Sequence, residues 1–251
     1  MKGKQYSGTY AFRTDQGLVR HNNEDQALVL TNGEGEVLLL VCDGMGGANK
    51  GDLASRMAIE IMTESFQAKK ASTSKLKNRH WIMRSIRRAN SLVYSRSQED
   101  PLCNGMGTTI VCVLLVEDKI YLANLGDSRA YLDDGKTIRQ ISEDQTYAHY
   151  LEKTGQITKE EALSHPERHV LMNALGIFPS LALSISILPY QGEKILCCTD
   201  GLYNQVSDEA IHAILSTDER ADQKVASLIG TANAGGGSDN SGVAYWECIN
   251  D

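Results

Sequence analysis

No stretch of this sequence stays apolar for the roughly 18 residues that a membrane span requires. The opening MKGKQYSGTYAFRTDQG is polar and strand-like, with no apolar core, so neither a secretory leader nor a membrane anchor is expected. Positive excess is missing too. Against 25 Lys and Arg stand 32 Asp and Glu, a formal net charge of −7. Nucleic acid is therefore not the expected partner. The one basic run, NRHWIMRSIRR from Asn78 to Arg88, reads as the wet face of an amphipathic helix. The six cysteines, Cys42, Cys103, Cys112, Cys197, Cys198 and Cys248, form no CxxC pair and no disulfide-like rhythm. Most lie inside apolar strand patterns, where a free thiol packs as a small hydrophobe. Reduced thiols in a soluble cytoplasmic protein are expected, without a catalytic cysteine. The histidines, His21, His80, His149, His165, His169 and His212, show neither HExxH nor HxH spacing, which argues against zinc. EF-hand acids, a P-loop GK[ST] ending and a G-x-S-x-G context for Ser128 are also absent.

What remains is an ordinary globular composition: 251 residues, 41% hydrophobic, 23% charged. That is enough for one large domain or two small ones. No repeat or low-complexity tract appears. GGGSDN, Gly235 to Asn240, resembles a linker but directly precedes an apolar segment, so it reads as a functional loop.

Strands are predicted over Ser7–Arg13, Gln26–Thr31 and Val37–Cys42, the last so uniformly apolar that both faces must be covered. Helices follow over Asp52–Phe66 and Leu76–Tyr94, each with one apolar face. Strands resume over Thr108–Val116, Ile120–Leu125, Ala130–Leu132 and Thr137–Ile141, with a hairpin turn at Asp134-Gly135. Ser142 with Gln145, and Thr158 with Glu161, predict two short capped helices in a surface excursion. Strands over Leu181–Leu188 and Lys194–Thr199, helices over Asp208–Leu215 and Asp218–Ala232, and a strand over Val243–Cys248 complete the chain. Runs of strands with helices in pairs predict an α+β fold, a four-layer α-β-β-α sandwich. Regular β-α alternation, the mark of a doubly wound sheet, is missing.

Two apolar strands end in the same way: VLLLVCDGMGG delivers Asp43, and KILCCTDG delivers Asp200. Asp127 in NLGDSRAY and Asp239 in GGGSDN also stand beside turns, and Glu24-Asp25 precede a strand. Any one of these could be a plain β-turn. Together they suggest carboxylates gathered around hard divalent cations such as Mg²⁺ or Mn²⁺. Arg20 lies just ahead of Glu24-Asp25. Its fork suits two phosphate oxygens, or a salt bridge to those acids.

Eight collinear stretches then carry a resemblance: TDQGLVRHNNEDQ, VCDGMGGANKGDLAS, GMGTTIV, ANLGDSRAYL, QISEDQTYAHYLEKTGQIT, HPERHVLMNALG, ILCCTDGL and GGSDN. The sequence closely resembles the metal-dependent type-2C (PPM) serine/threonine protein phosphatases, the compact bacterial ones in particular. The resemblance implies one such domain over residues 1–251, with a mobile flap from about 142 to 173. It implies catalysis by Asp43, Asp200 and Asp239 with two Mn²⁺ or Mg²⁺ ions, possibly a third. Asp43 would bridge the pair and the Gly44 carbonyl would be a further ligand. Asp200 and Asp239 would complete the first site, and Glu24 and Asp25 would hold the second ion directly or through water. Asp127 with Asp200 would bind the third, and Arg20 the substrate phosphate.

A bridging water would attack phosphorus directly, without a phosphoenzyme. Phosphoproteins, including a Ser/Thr kinase and its targets, would be the partners of a cytoplasmic monomer. The competing reading is a pseudophosphatase that binds phosphoproteins without turnover; the intact Asp43, Asp200 and Asp239 weigh against it. Three departures stand out. Met45 replaces a histidine found in animal members, Gln145 replaces a histidine of the flap, and Ser241-Gly242 replace an apolar residue and Thr.

Overall fold

The computed structural model describes residues 6–46 and 50–249. The first five residues, the last two, and Gly47, Ala48 and Asn49 within the glycine-rich motif lie outside the described residues. In chain order the elements are β1 (Gly8–Asp15), β2 (Asp25–Thr31), β3 (Val37–Met45), α1 (Gly51–Gln67), α2 (Lys75–Glu99), β4 (Gly107–Thr108), β5 (Ile110–Val116) and β6 (Lys119–Leu125). Next come β7 (Arg129–Asp133), β8 (Ile138–Gln140), α3 (Tyr147–Lys153), α4 (Lys159–Ser164), β9 (Ser186–Pro189) and β10 (Lys194–Cys198). Last are α5 (Asp200–Tyr203), α6 (Asp208–Leu215), α7 (Ala221–Ala234) and β11 (Ser241–Cys248).

Two antiparallel sheets form, in the orders β1-β11-β10-β7-β8 and β2-β3-β5-β6-β9, with β4 paired to β3. The apolar run of β3 explains the layering. Successive side chains of a strand point to opposite faces. Leu38, Leu40 and Cys42 pack on Ala58, Met62, Ile82 and Ile86 of α1 and α2. Val37, Leu39 and Val41 pack on Ile195, Cys197, Ala244 and Trp246 of the other sheet, the one containing β10 and β11. That sheet turns Leu196, Cys198, Val243 and Tyr245 outward onto Ile211, Leu215, Val225 and Leu228 of α6 and α7. The expected α-β-β-α sandwich is the architecture observed.

Four local expectations change. Ser142 opens no helix: its hydroxyl accepts from the Ala130 amide at 2.9 Å, and Gln145 donates to the Asn124 carbonyl at 3.0 Å. The helix begins instead at Tyr147, capped by Thr146. The strand expected from Leu181 pairs only from Ser186. Leu181, Leu183 and Ile185 do pack on the core, but the edge of β6 beyond Leu122 is occupied at Asn124 by Gln145. Helix α2 runs on through polar Ser95–Glu99, where no apolar periodicity marks it, until Asp100-Pro101 stops it. Helix α7 starts at Ala221 rather than Asp218, because the Gln223 side chain accepts from the Arg220 amide. The short α5 went unpredicted.

The capping box of Thr158 and Glu161 is present as read. Thr158→Ala is expected to cost about 1 kcal/mol. With the rest of the sandwich untouched, the loss should register as faster hydrogen exchange confined to the α4 segment.

Candidate metal centre

Strand alternation carries three polar residues to one end of the space between the sheets. Asp43 continues the inward set Val37, Leu39, Val41, and Asp25 continues Val29 and Ala27, directly opposite Asp43 in the ladder. Thr199 continues Ile195 and Cys197 from the other sheet. Its hydroxyl donates to Asp25 Oδ2 at 2.6 Å and accepts from the Gly242 amide at 2.7 Å. The GMGTTIV stretch fixes the backbone of Asp43. Thr109 Oγ1 accepts from the Asp43 amide at 2.8 Å, and the Thr109 amide and Thr108 hydroxyl donate to the Asp43 carbonyl at 2.8 and 2.9 Å.

The start of α1 lies at very close range to Gly44. A Cβ on Gly44 would collide with the Gly51 carbonyl, which is why glycine is needed there. The Glu24 carboxylate lies beside the Gly51 backbone at the start of α1, where helix geometry favours negative charge. Ser55 Oγ donates to the Glu24 carbonyl at 2.6 Å.

Asp200 opens α5 immediately after Thr199. Asn240 pins the neighbouring loop: its side chain donates to the carbonyls of Gln16 and Asn22, each at 2.8 Å, and accepts from the Glu24 amide at 2.9 Å. Asp239 Oδ1 accepts from the Asn240 amide at 2.8 Å, and Oδ2 accepts from Arg20 at 2.7 Å. Arg20 thus pairs with Asp239, not with the Glu24-Asp25 acids that were the sequence alternative.

These groups open onto a cleft of about 860 Å³. Arg20, Glu24, Asp43, Gly44, Asp127, Asp200 and Asp239 all line it. Asp25 does not: it is 1% exposed, behind Asp43 and bonded to Thr199. Burial and mutual repulsion raise the acids. Asp25 is pushed up to about 8, chiefly by burial and then by Asp200 and Asp239, against the Thr199 bond. Burial, then Asp25 and Asp200, push Asp43 well above the carboxylate range. Burial and the Asp200 charge lift Asp127 to about 7, and burial with Asp239 lifts Asp200 to about 6. Burial raises Glu24 as well. Carboxylates held this close resist ionisation unless a cation joins them. An oxygen-only donor set of this kind fits hard divalent ions.

His169, from the stretch after α4, also lines the cleft. A ring nitrogen of His169 and carboxylate oxygens of Asp127 and Asp200 lie within 4.8 Å of one another. Sequence reasoning missed it, since neither acid is near it in the chain and HPERHV carries no ligand spacing. The three departures are accommodated. Met45 lines the cleft. Gln145 anchors the base of the excursion, and Gly242 leaves room for Thr199 and Asp25. Cys42, Cys103, Cys112, Cys197 and Cys198 are buried free thiols, and no helix among the described residues is long and apolar enough to cross a membrane.

A family model, "Protein phosphatase 2C", matches residues 19–230. The chain is 36% identical over 239 residues to the serine/threonine phosphatase stp of Listeria monocytogenes serotype 4b, covering 94% of each chain. Its fold superposes on the crystal structure of serine/threonine phosphatase Stp1 from Staphylococcus aureus with a TM-score of 0.92 and 30% identity, covering 100% of this chain and 98% of that one. The catalytic domain of serine threonine protein phosphatase PstP, solved in complex with two manganese ions, superposes with a TM-score of 0.82 and 32% identity, covering 97% and 99%. With the family model matching most of its length and relatives at this identity covering nearly all of it, the chain belongs to the protein phosphatase 2C family.

Proposed function

We propose that this chain hydrolyses phosphoserine and phosphothreonine in proteins, using two Mn²⁺ or Mg²⁺ ions and a third beside them. The observation that carries the reading is the convergence of Glu24, Asp43, Asp127, Asp200 and Asp239 with the Arg20 guanidinium on one cleft. Asp43, Asp200 and Asp239 would hold one ion, Asp43 with Glu24 and the Gly44 carbonyl a second, with Asp25 behind Asp43 acting through water, and Asp127 with Asp200 a third. Bound there, such ions make water acidic enough to attack phosphorus at neutral pH and neutralise the phosphoryl oxygens.

The side chains supply orientation. Thr108 and Thr109 hold the Asp43 backbone still. Arg20, 54% exposed at its side chain, can exchange Asp239 for a phosphoryl group at the cleft mouth. No cysteine among the described residues lines the cleft, and burial pushes Cys42, Cys112, Cys197 and Cys198 up. Met45 has no proton to give. Residues from about 142 to 173 act as the flap of one domain spanning 1–251, with Arg168, Met172 and Asn173 facing the cleft. The partners are phosphoproteins, a Ser/Thr kinase and its targets among them, met by a monomer in the cytoplasm.

The test is hydrolysis of p-nitrophenyl phosphate and a phosphothreonine peptide, with and without Mn²⁺, beside Arg20→Ala. Metal-dependent turnover is expected, with kcat/KM lowered about 10- to 100-fold in Arg20→Ala, mostly through KM. Folded protein that refuses both substrates with Mn²⁺ present would overturn the reading.

A further inference from the structure

Beyond the flap the chain reads Leu175-Gly176-Ile177-Phe178-Pro179, a stretch that supplies no metal ligand. Its backbone is fixed from two sides. The Leu175 amide donates to the Thr108 carbonyl at 2.9 Å, and the Leu175 carbonyl accepts from the Thr108 amide at 3.0 Å. Asn90, buried in α2, accepts from the Gly176 amide at 2.8 Å and donates to the Phe178 carbonyl at 2.9 Å. Held in this way, Ile177 and Phe178 line the cleft. Ile177 is seated on Gly107, where an added Cβ would come within 2.7 Å of its Cδ1. Gly107 in turn pairs with Met45, two residues past Asp43 on β3. Met45 and Ile177 are half-buried, and Phe178 is 55% exposed. From Leu171 to Phe178 the lining carries no ionisable side chain, in contrast to the acids and Arg20 of the same cleft. A single exposed apolar residue is ordinary. A contiguous set, fixed in place next to a charged centre, marks a binding surface.

We propose that Met45, Ile177 and Phe178 form a subsite for an apolar side chain of the phosphoprotein, carried within two residues of the phosphorylated serine or threonine. The inference rests on the phosphatase reading above and adds to it a choice among substrates. The reach is set by strand geometry. Asp43 and Met45 are two strand positions apart, about 7 Å along β3. An extended peptide spaces its own alternate side chains by the same amount. With its phosphoryl group at the carboxylates, it carries a neighbouring side chain to the Met45–Ile177–Phe178 wall. A leucine there leaves water for apolar contact, whereas a serine gains nothing and a charged residue loses hydration. Because Asn90 and Thr108 hold the wall in advance, little of that gain is lost to ordering the loop.

The experiment supplies the full chain, with Mn²⁺, with phosphothreonine peptides in a serine-glycine background. They are identical except for one leucine placed one or two residues before or after the phosphothreonine, and an all-serine peptide is the reference. The readout is the ratio of kcat/KM for each leucine peptide to that for the reference, measured by phosphate release. Wild type is expected to favour leucine at one of these positions by about tenfold. Phe178→Ser should bring that ratio close to one, and Phe178→Leu should keep most of it. Phe178 is exposed, so neither replacement opens the core. Leu76→Ser, at a residue 78% exposed at the start of α2, should leave the ratio at the wild-type value. The ratio is internal to each protein, so a general loss of activity in a variant does not imitate the effect. Equal turnover of all the peptides by wild type, or a preference that survives both Phe178→Ser and Ile177→Ser, overturns the subsite and leaves the phosphatase reading standing. Turnover of none of them removes both.

Discussion

Asp43→Asn is expected to cut Mn²⁺-dependent turnover by about a thousandfold or more while raising the melting temperature of the metal-free protein. Both effects come from one fact. Asp43 faces Asp25 directly across the ladder, with the charges of Asp200, Asp127 and Asp239 nearby. Without a cation this arrangement is self-repelling, so removing a carboxylate relieves it. With cations the same carboxylate would, on the proposed assignment, be a shared ligand, and an amide offers a weaker, uncharged oxygen. The sign of the pH dependence follows. Asp25 is lifted to about 8 in the fold, against an ordinary 3.8. Between those limits the folded chain keeps a proton that the unfolded chain has released, so stability falls as pH rises through that window. Metal-free wild type should melt on the order of 5 °C lower at pH 8 than at pH 5. Excess Mn²⁺ should erase the difference, and Asp43→Asn should reduce it by removing the second raised acid without abolishing it, since burial keeps Asp25 raised. Melting curves at the two pH values, with and without Mn²⁺, beside kcat for both proteins, decide the matter. A metal-free variant less stable than wild type, or a flat wild-type profile, would refute the repulsive cluster.

The sandwich was legible because its central strand is uniform. Only a strand covered on both faces carries Val37 to Cys42 without a polar break, and the helix pairs that cover it show their own apolar faces. The acids were legible because each stands where an apolar strand or a turn ends. Their division of labour was less so. Asp25 and Glu24 look equivalent in the sequence, yet ladder register sends Asp25 between the sheets to Thr199 and leaves Glu24 at the start of α1. The misread stretches share a cause. Ser142 and Gln145 carry the letters of a capping box, but the open edge at Asn124 and the Ala130 amide were competing partners that no local pattern reveals. The same competition ends the ladder before Leu181–Ile185. His169 lay beyond reach for the opposite reason: its partners are brought to it only by the fold.

Gly201→Ala should be nearly as damaging as loss of a ligand, although Gly201 offers no side chain at all. A Cβ there would collide with the Asn240 carbonyl oxygen, a backbone atom that cannot rotate away. Asn240 is held by Gln16, Asn22 and Glu24, so the strain cannot be absorbed at that residue alone. Either α5 or the 239–240 loop must move, and each carries a carboxylate, Asp200 or Asp239. The distance between the two acids is thus set by a glycine. The expected result is a loss of about 100-fold in Mn²⁺ affinity and in kcat/KM, with destabilisation of about 1–3 kcal/mol from overpacking. Gly230→Ala is the matched control. It lies exposed within α7 with nothing within 4 Å of the added carbon, and should stabilise by about 0.5–1 kcal/mol without touching metal affinity. Mn²⁺ titration at low temperature separates geometry from fold stability. If excess metal restores full kcat to Gly201→Ala while the protein is folded, the glycine serves only packing; if kcat stays low with the ions bound, the spacing of Asp200 and Asp239 is what the glycine protects.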